Sequence, residues 1–225
     1  MGAAASVARG SRRHGAPDPS TPAISLVAAA VSAACTGTRR AAVTLGDHAG
    51  GRGGRGALQD FLDGKGLRCS PCSAGDPGVP AVTVPVLPGW TRLASESFPG
   101  AWLVLTAPDA QSNVFTANAV VLHGELSERA GVDDLLDAAR RSSTLLPEWR
   151  EDEVSFADFH GQRSLFVSGV STVGDSTFAV TSRFVVVERS RRQYLTQLTV
   201  TTFAERSEAL ATDVMVINSA LDIQV

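Results

Sequence analysis

Beyond residue 35 the chain has no apolar run near the roughly 20 residues that a transmembrane helix requires, so the one membrane attachment it offers lies at Cys35. It has no internal period, which excludes repeat architectures. No G-x-S-x-G elbow is present, so its many serines lack a hydrolase context. Histidine is scarce: His14 and His48 fall in the N-terminal quarter, while His123 and His160 each precede a glycine near an expected strand end. Nothing in that spacing brings a carboxylate to both, so neither a metal site nor a general base is expected. Glu151-Asp152-Glu153 lacks the alternating ligands of a calcium loop and reads as a solvated approach to a strand. Catalytic residues and cofactors are therefore expected to be absent.

What is present begins with an address. Arginines at the N-terminus precede the apolar run from Pro22 to Ala34, which ends in Val31-Ser32-Ala33-Ala34-Cys35. Small residues directly before a cysteine, followed by a polar, Gly-rich stretch, form the pattern of a bacterial lipoprotein signal, with Cys35 as the lipidated first residue of the mature protein. The basic residues sit far upstream and Ser32 replaces the usual aliphatic residue, so a plain secretory signal is the alternative. Residues 1–34 are thus expected to be a signal peptide, 35–56 a flexible tether, and 57–225 a single domain. The protein would be exported and held on the outer face of the cell membrane by its lipid, or shed from it. Within the tether, Gly51-Arg52-Gly53-Gly54-Arg55-Gly56 satisfies G-x-G-x-x-G only as text, because no strand precedes it.

Composition agrees with one folded domain, with 44% hydrophobic and 19% charged residues among 225. The net charge of −3 falls to about −5 once the leader's Arg9, Arg12, Arg13 and Asp18 are removed. An acidic domain is a poor candidate for nucleic acid or for unaided binding to anionic membrane.

The domain reads as helices and antiparallel strands. Leu58, Phe61 and Leu62 lie at helical spacing before Gly64 and Gly66. Val82, Val84 and Val86 alternate along a strand; Trp102–Leu105 and Asn118–Leu126 follow. Val132, Leu135, Leu136 and Ala139 form a helical stripe, with Asp133 and Asp134 at its start and Arg140 and Arg141 at its end, as the helix dipole favours. Strands are expected over Val154–Phe159, Ser164–Val173 and Thr177–Val187, the last with Phe178, Val180, Phe184 and Val186 on one face. Tyr194, Leu198 and Val200 return along the sheet, and a closing helix runs from Glu205 with Leu210, Val214, Ile217 and Leu221 on its stripe. Adjacent antiparallel strands with covering helices give an α+β fold, a sheet sandwiched between helices, rather than βαβ units.

Two features carry chemistry. Cys69-Ser70-Pro71-Cys72 has thioredoxin-type spacing, but Gly75, Pro77, Gly78 and Pro80 prevent the helix that would activate its first thiol. A small structural disulfide is the expectation, an extracytoplasmic thiol-disulfide oxidoreductase the alternative. Arg189-Ser190-Arg191-Arg192 is a basic turn; Arg189, Arg191 and Arg192 either solubilise a hairpin tip or present a partner-binding patch to an anionic surface. Trp90, Trp102 and Trp149 are expected to pack in the core or at its rim.

Several landmarks together resemble the LpqN/LpqT family of actinobacterial envelope lipoproteins: the Cys35 motif, Val84-Pro85-Val86-Leu87-Pro88-Gly89-Trp90, Asn118-Ala119-Val120-Val121, Ala157-Asp158-Phe159-His160-Gly161, and Gln193-Tyr194-Leu195-Thr196-Gln197-Leu198-Thr199-Val200 with the last helix. The resemblance spans about residues 57–222. It implies a PsbP-like fold and a binding or assembly protein without catalytic residues, docking an envelope protein or an apolar envelope lipid. Cys69 and Cys72 are not part of that family pattern.

Overall fold

The computed structural model describes residues 56–94, 98–107 and 115–225. The leader, most of the tether, Cys35, His14 and His48 lie outside them.

The domain opens with α1 (Ala57–Gly64), followed by β1 (Cys69–Pro71), β2 (Ala81–Thr83), β3 (Thr91–Arg92), β4 (Leu103–Ala107) and β5 (Ala117–Leu126). Next come α2 (Val132–Ser143), β6 (Arg150–Ser155), β7 (Ser164–Val173), β8 (Ser176–Arg189) and β9 (Arg192–Phe203). A 3₁₀ turn at Ala204–Arg206, α3 (Ala211–Ser219) and β10 (Asp222–Gln224) complete the chain. The main sheet runs β3-β4-β5-β9-β8-β7-β6, every neighbouring pair antiparallel, with β1 beside the far end of β5. β10 pairs with β2 in a separate ribbon.

Because side chains alternate along a strand, β8 divides its apolar residues between two layers. Phe178, Val180, Phe184 and Val186 join Leu165, Val167 and Leu195 beneath α1 and α2. Val185 and Val187 face the opposite way, with Tyr194, Leu198 and Val200, toward α3 and the ribbon. The helices contribute Leu58 and Leu62 from α1 and Leu135, Leu136 and Ala139 from α2, each at most 2% exposed. Full burial of such a leucine stabilises by about 1.5–3 kcal/mol, so these stripes, rather than helix propensity, hold the helices down. The first turn of α1 gains a fixed partner: the Leu58 N–H donates to Ser142 Oγ at 2.7 Å, and that hydroxyl donates to the Ala138 carbonyl. A backbone donor at a helix start, which has no intrahelical acceptor, is thereby satisfied.

The sandwich is the expected α+β one, with local departures. β6 begins at Arg150, four residues before the expected strand, because Glu151 and Glu153 bracket a bulge that lets their segment pair with β7. Charged residues on this outer strand deter pairing with another chain. Gly169 permits the close approach there, since a Cβ would lie 2.3 Å from the Arg150 carbonyl oxygen. The closing helix is shorter than its apolar stripe: Leu210 precedes α3 and Leu221 follows it, and both ribbon strand β10 and edge strand β1 have too few residues to show alternation.

Candidate functional site

The face of the sheet beneath α3 is only partly filled. Toward the β8–β9 hairpin, Val185, Val187, Tyr194 and Leu198 close the layer. In the other direction β7 and β8 present smaller groups, Ser168, Ala179 and Thr181, with Thr181 paired to Ser168 on one side and Val200 on the other. A groove of about 540 Å³ remains between these strands and Val214, Met215 and Asn218 of α3. The helix is held above it by few contacts: Ile217 and Asn218 are buried, while Met215 is 63% exposed. Its start is pinned by Trp90, whose Nε1–H donates to Asp213 Oδ2 at 2.9 Å. A cavity of this size, mainly apolar with a few polar groups, is the usual form of a small-molecule site.

Arg183 lines the same groove. Its guanidinium carbon lies 4.2 Å from the centroid of Phe159 and 5.0 Å from that of Phe166, its cross-strand neighbour. Nε is buried and has no hydrogen-bond partner among the described residues, and the same holds for Asn218 Oδ1 from the helix above. Burial lowers the pKa of Arg183, opposed by the negative charge of Glu153, but an arginine remains charged.

His123 occupies a different position, in the interior of β5 rather than at its end. It is 1% exposed, edge-on to Trp102 and stacked on Tyr194, and Nδ1 is 2.9 Å from Thr196 Oγ1. Desolvation lowers its pKa to about 4. His160, at φ 51° in the following turn region, stacks on Phe159 and does not meet it. Among the described residues no three His, Cys, Asp or Glu side chains group to hold a metal.

The expected Cys69–Cys72 disulfide is not formed, and Cys72 carries a free thiol. The chain there is an extended edge strand, not a loop, with Cys72 N–H donating to the His123 carbonyl beyond it. Three residues apart on an extended strand, the two side chains fall on opposite faces: Cys69 packs in the layer under α1 and α2, Cys72 against the layer under α3. Burial, then Glu125, push the Cys72 thiol up to about 11. A thiol so resistant to ionisation is a poor nucleophile.

The basic turn closes the β8–β9 hairpin, with Arg189 paired to Arg192 across the last rung. Ser190 and Arg191 both adopt positive φ, 51° and 70°, the conformation of a type I′ two-residue turn. Arg192 reaches Glu125 at 3.4 Å, and Glu188 beside the turn is ion-paired with Arg129. The tip is thus a mixed-charge surface, with Arg191 exposed at its apex.

The family model described as probable lipoprotein LpqN matches residues 55–224, which comprise every described element. The chain belongs to this family. Similar curated proteins are the proline-rich 28 kDa antigens of Mycobacterium tuberculosis and Mycobacterium bovis, each 26% identical over 163 residues, or 72% of this chain and 52% of theirs. The chain spans about half the length of these relatives. Among solved structures, LpqN of Mycobacterium tuberculosis, described as involved in cell envelope biogenesis, superposes with a TM-score of 0.66 at 20% identity, covering 74% of this chain and 96% of that one. A weaker likeness, TM-score 0.41 at 13% identity over 68% of this chain and 96% of that one, relates it to the cyanobacterial PsbP of Synechocystis.

Within this LpqN-family domain the groove residues were not singled out by sequence reasoning. Arg183 interrupts the apolar alternation Val180–Val187, and a charged residue inside a long strand was the available signal. Asn218 gave none, since its meaning depends on the helix lying over the sheet.

Proposed function

We propose that this chain is a cell-envelope lipoprotein that acts by binding rather than by catalysis, and that it carries an apolar envelope lipid in the groove beneath α3. The groove itself, about 540 Å³ between small sheet residues and a lightly packed helix, is the observation that supports this reading. Membership of the LpqN-type lipoprotein family supports an envelope location. Attachment through lipidated Cys35, on the outer face of the membrane, completes the proposal. Several acyl chains at that cysteine would give a stable anchor, since a single chain binds membrane only marginally.

Two measurements test it. Solvent extraction and mass spectrometry of protein purified from its own membrane are expected to yield about one lipid per chain; a bare chain contradicts lipid carriage. Cys35→Ala is expected to abolish acylation and move the protein from the detergent to the aqueous phase, and unchanged partitioning rejects lipidation there. The docking of an envelope protein at Arg189, Arg191 and Arg192 is a weaker reading, because Glu125 and Glu188 offset the charge of that turn.

A further inference from the structure

We infer that the groove beneath α3 selects a single-chain amphiphile ending in a carboxylate, with Arg183 as the residue that recognises the acid group. The inference rests on the reading of the groove as a lipid site and adds the chemistry of its occupant.

Three observations converge on it. The first is charge. Among the described residues Arg183 forms no ion pair or hydrogen bond, although its Nε is fully enclosed. A buried donor without an acceptor is costly; Nε is covered by the protein itself, so the terminal guanidinium nitrogens, which are not enclosed, form the N–H edge that a ligand in the groove can reach. Glu153, the carboxylate whose charge reaches it, is not within ion-pairing distance. A planar carboxylate is the group whose two oxygens match that edge.

The second is position. Arg183 is on the sheet floor of a groove that mixes apolar residues, Phe166, Ala179, Val200, Val214 and Met215, with small hydroxyl side chains, and whose other charged residue is the exposed Glu208. An acid at Arg183 with a hydrocarbon tail along these residues would satisfy both parts of the lining. Asn218 Oδ1, also buried and unpartnered, adds a second polar position on the helix side. Its Nδ2 is already engaged, donating to the Val214 carbonyl at 3.0 Å, so Oδ1 is the position left to accept a hydrogen bond.

The third is size. At about 540 Å³ the groove falls within the roughly 300–1,000 Å³ of ordinary small-molecule sites, enough for an acid group and the hydrocarbon chain attached to it.

The test uses the full chain, cis-parinaric acid and its methyl ester, which share a tail and differ in charge. At neutral pH the wild-type protein is expected to bind the acid roughly 10- to 100-fold more tightly than the ester, the usual contribution of a charge-assisted pair. Arg183→Gln should remove that preference by weakening the acid alone, and Arg183→Lys should retain part of it. Thermal melting of each variant separates loss of recognition from loss of fold, and the wild-type comparison decides even if a variant misfolds. Equal affinity of the wild-type protein for acid and ester, or full acid affinity in a folded Arg183→Gln, overturns the carboxylate proposal while leaving the groove a site for neutral lipids. If neither probe binds, the lipid reading of the groove falls with it.

Discussion

His123 shows how one buried side chain ties the stability of the domain to pH. It is enclosed by Trp102, Tyr194 and Thr196, and desolvation lowers its pKa to about 4 from 6.5. The unfolded chain therefore takes up a proton at a pH where the folded one refuses it. The neutral histidine's contribution is fully present above about pH 6.5 and is lost as pH falls toward 4, a change of at most about 3 kcal/mol. Urea titrations at pH 7.5 and 4.5 should show this loss in the wild-type protein and a smaller one in His123→Gln. The same pH dependence in both would mean that other groups account for acid sensitivity. Nε2 of His123 is buried without a hydrogen-bond partner among the described residues, an environment that favours the neutral ring. Cys72 is comparable: half-buried, with Glu125 nearby, its thiol is held well above the usual range and so stays protonated at neutral pH.

Among the elements, the β8–β9 hairpin places two non-glycine residues, Ser190 and Arg191, at positive φ. Such positions cost of order 1 kcal/mol or more for residues with a Cβ, whereas Asn-Gly suits this turn. Ser190→Asn with Arg191→Gly is therefore expected to raise stability by about 1 kcal/mol, measured as the urea midpoint. A fall would show that the Arg191 side chain contributes more than its backbone costs. The hairpin strands were legible from their sequence because each carries a long alternation, Phe178 to Val187 and Tyr194 to Val200, and α1 and α2 because their leucines repeat at helical spacing. β1 and β10 were not, since three residues carry no periodicity and Pro71 argues against a strand unless it lies at an edge. The Cys69–Cys72 spacing misled for the same reason: its meaning depends on whether the backbone between them turns or extends, and pairing with Leu126, Glu125 and Gly124 extends it. Arg183, Asn218 and Met215 come together only when α3 crosses the sheet, a long-range arrangement that no local pattern encodes.

At the scale of the whole molecule, the two sides of the sheet are unequal. Under α1 and α2 the layer is closed by leucines and phenylalanines; under α3 it is closed near the hairpin and open over Ser168, Ala179 and Thr181. The domain thus combines a stable sheet, one well-packed face, and one lightly held helix over a groove, the parts that the proposed carrier role requires. The claim that this groove is the working part is tested most directly by blocking it. Ala179→Phe adds a ring from the floor of the groove while leaving the opposite core untouched. Lipid extracted from protein purified from its own membrane should fall from about one per chain in the wild-type protein to near none in a folded Ala179→Phe. Equal lipid in both, or none in the wild-type protein, would contradict the account.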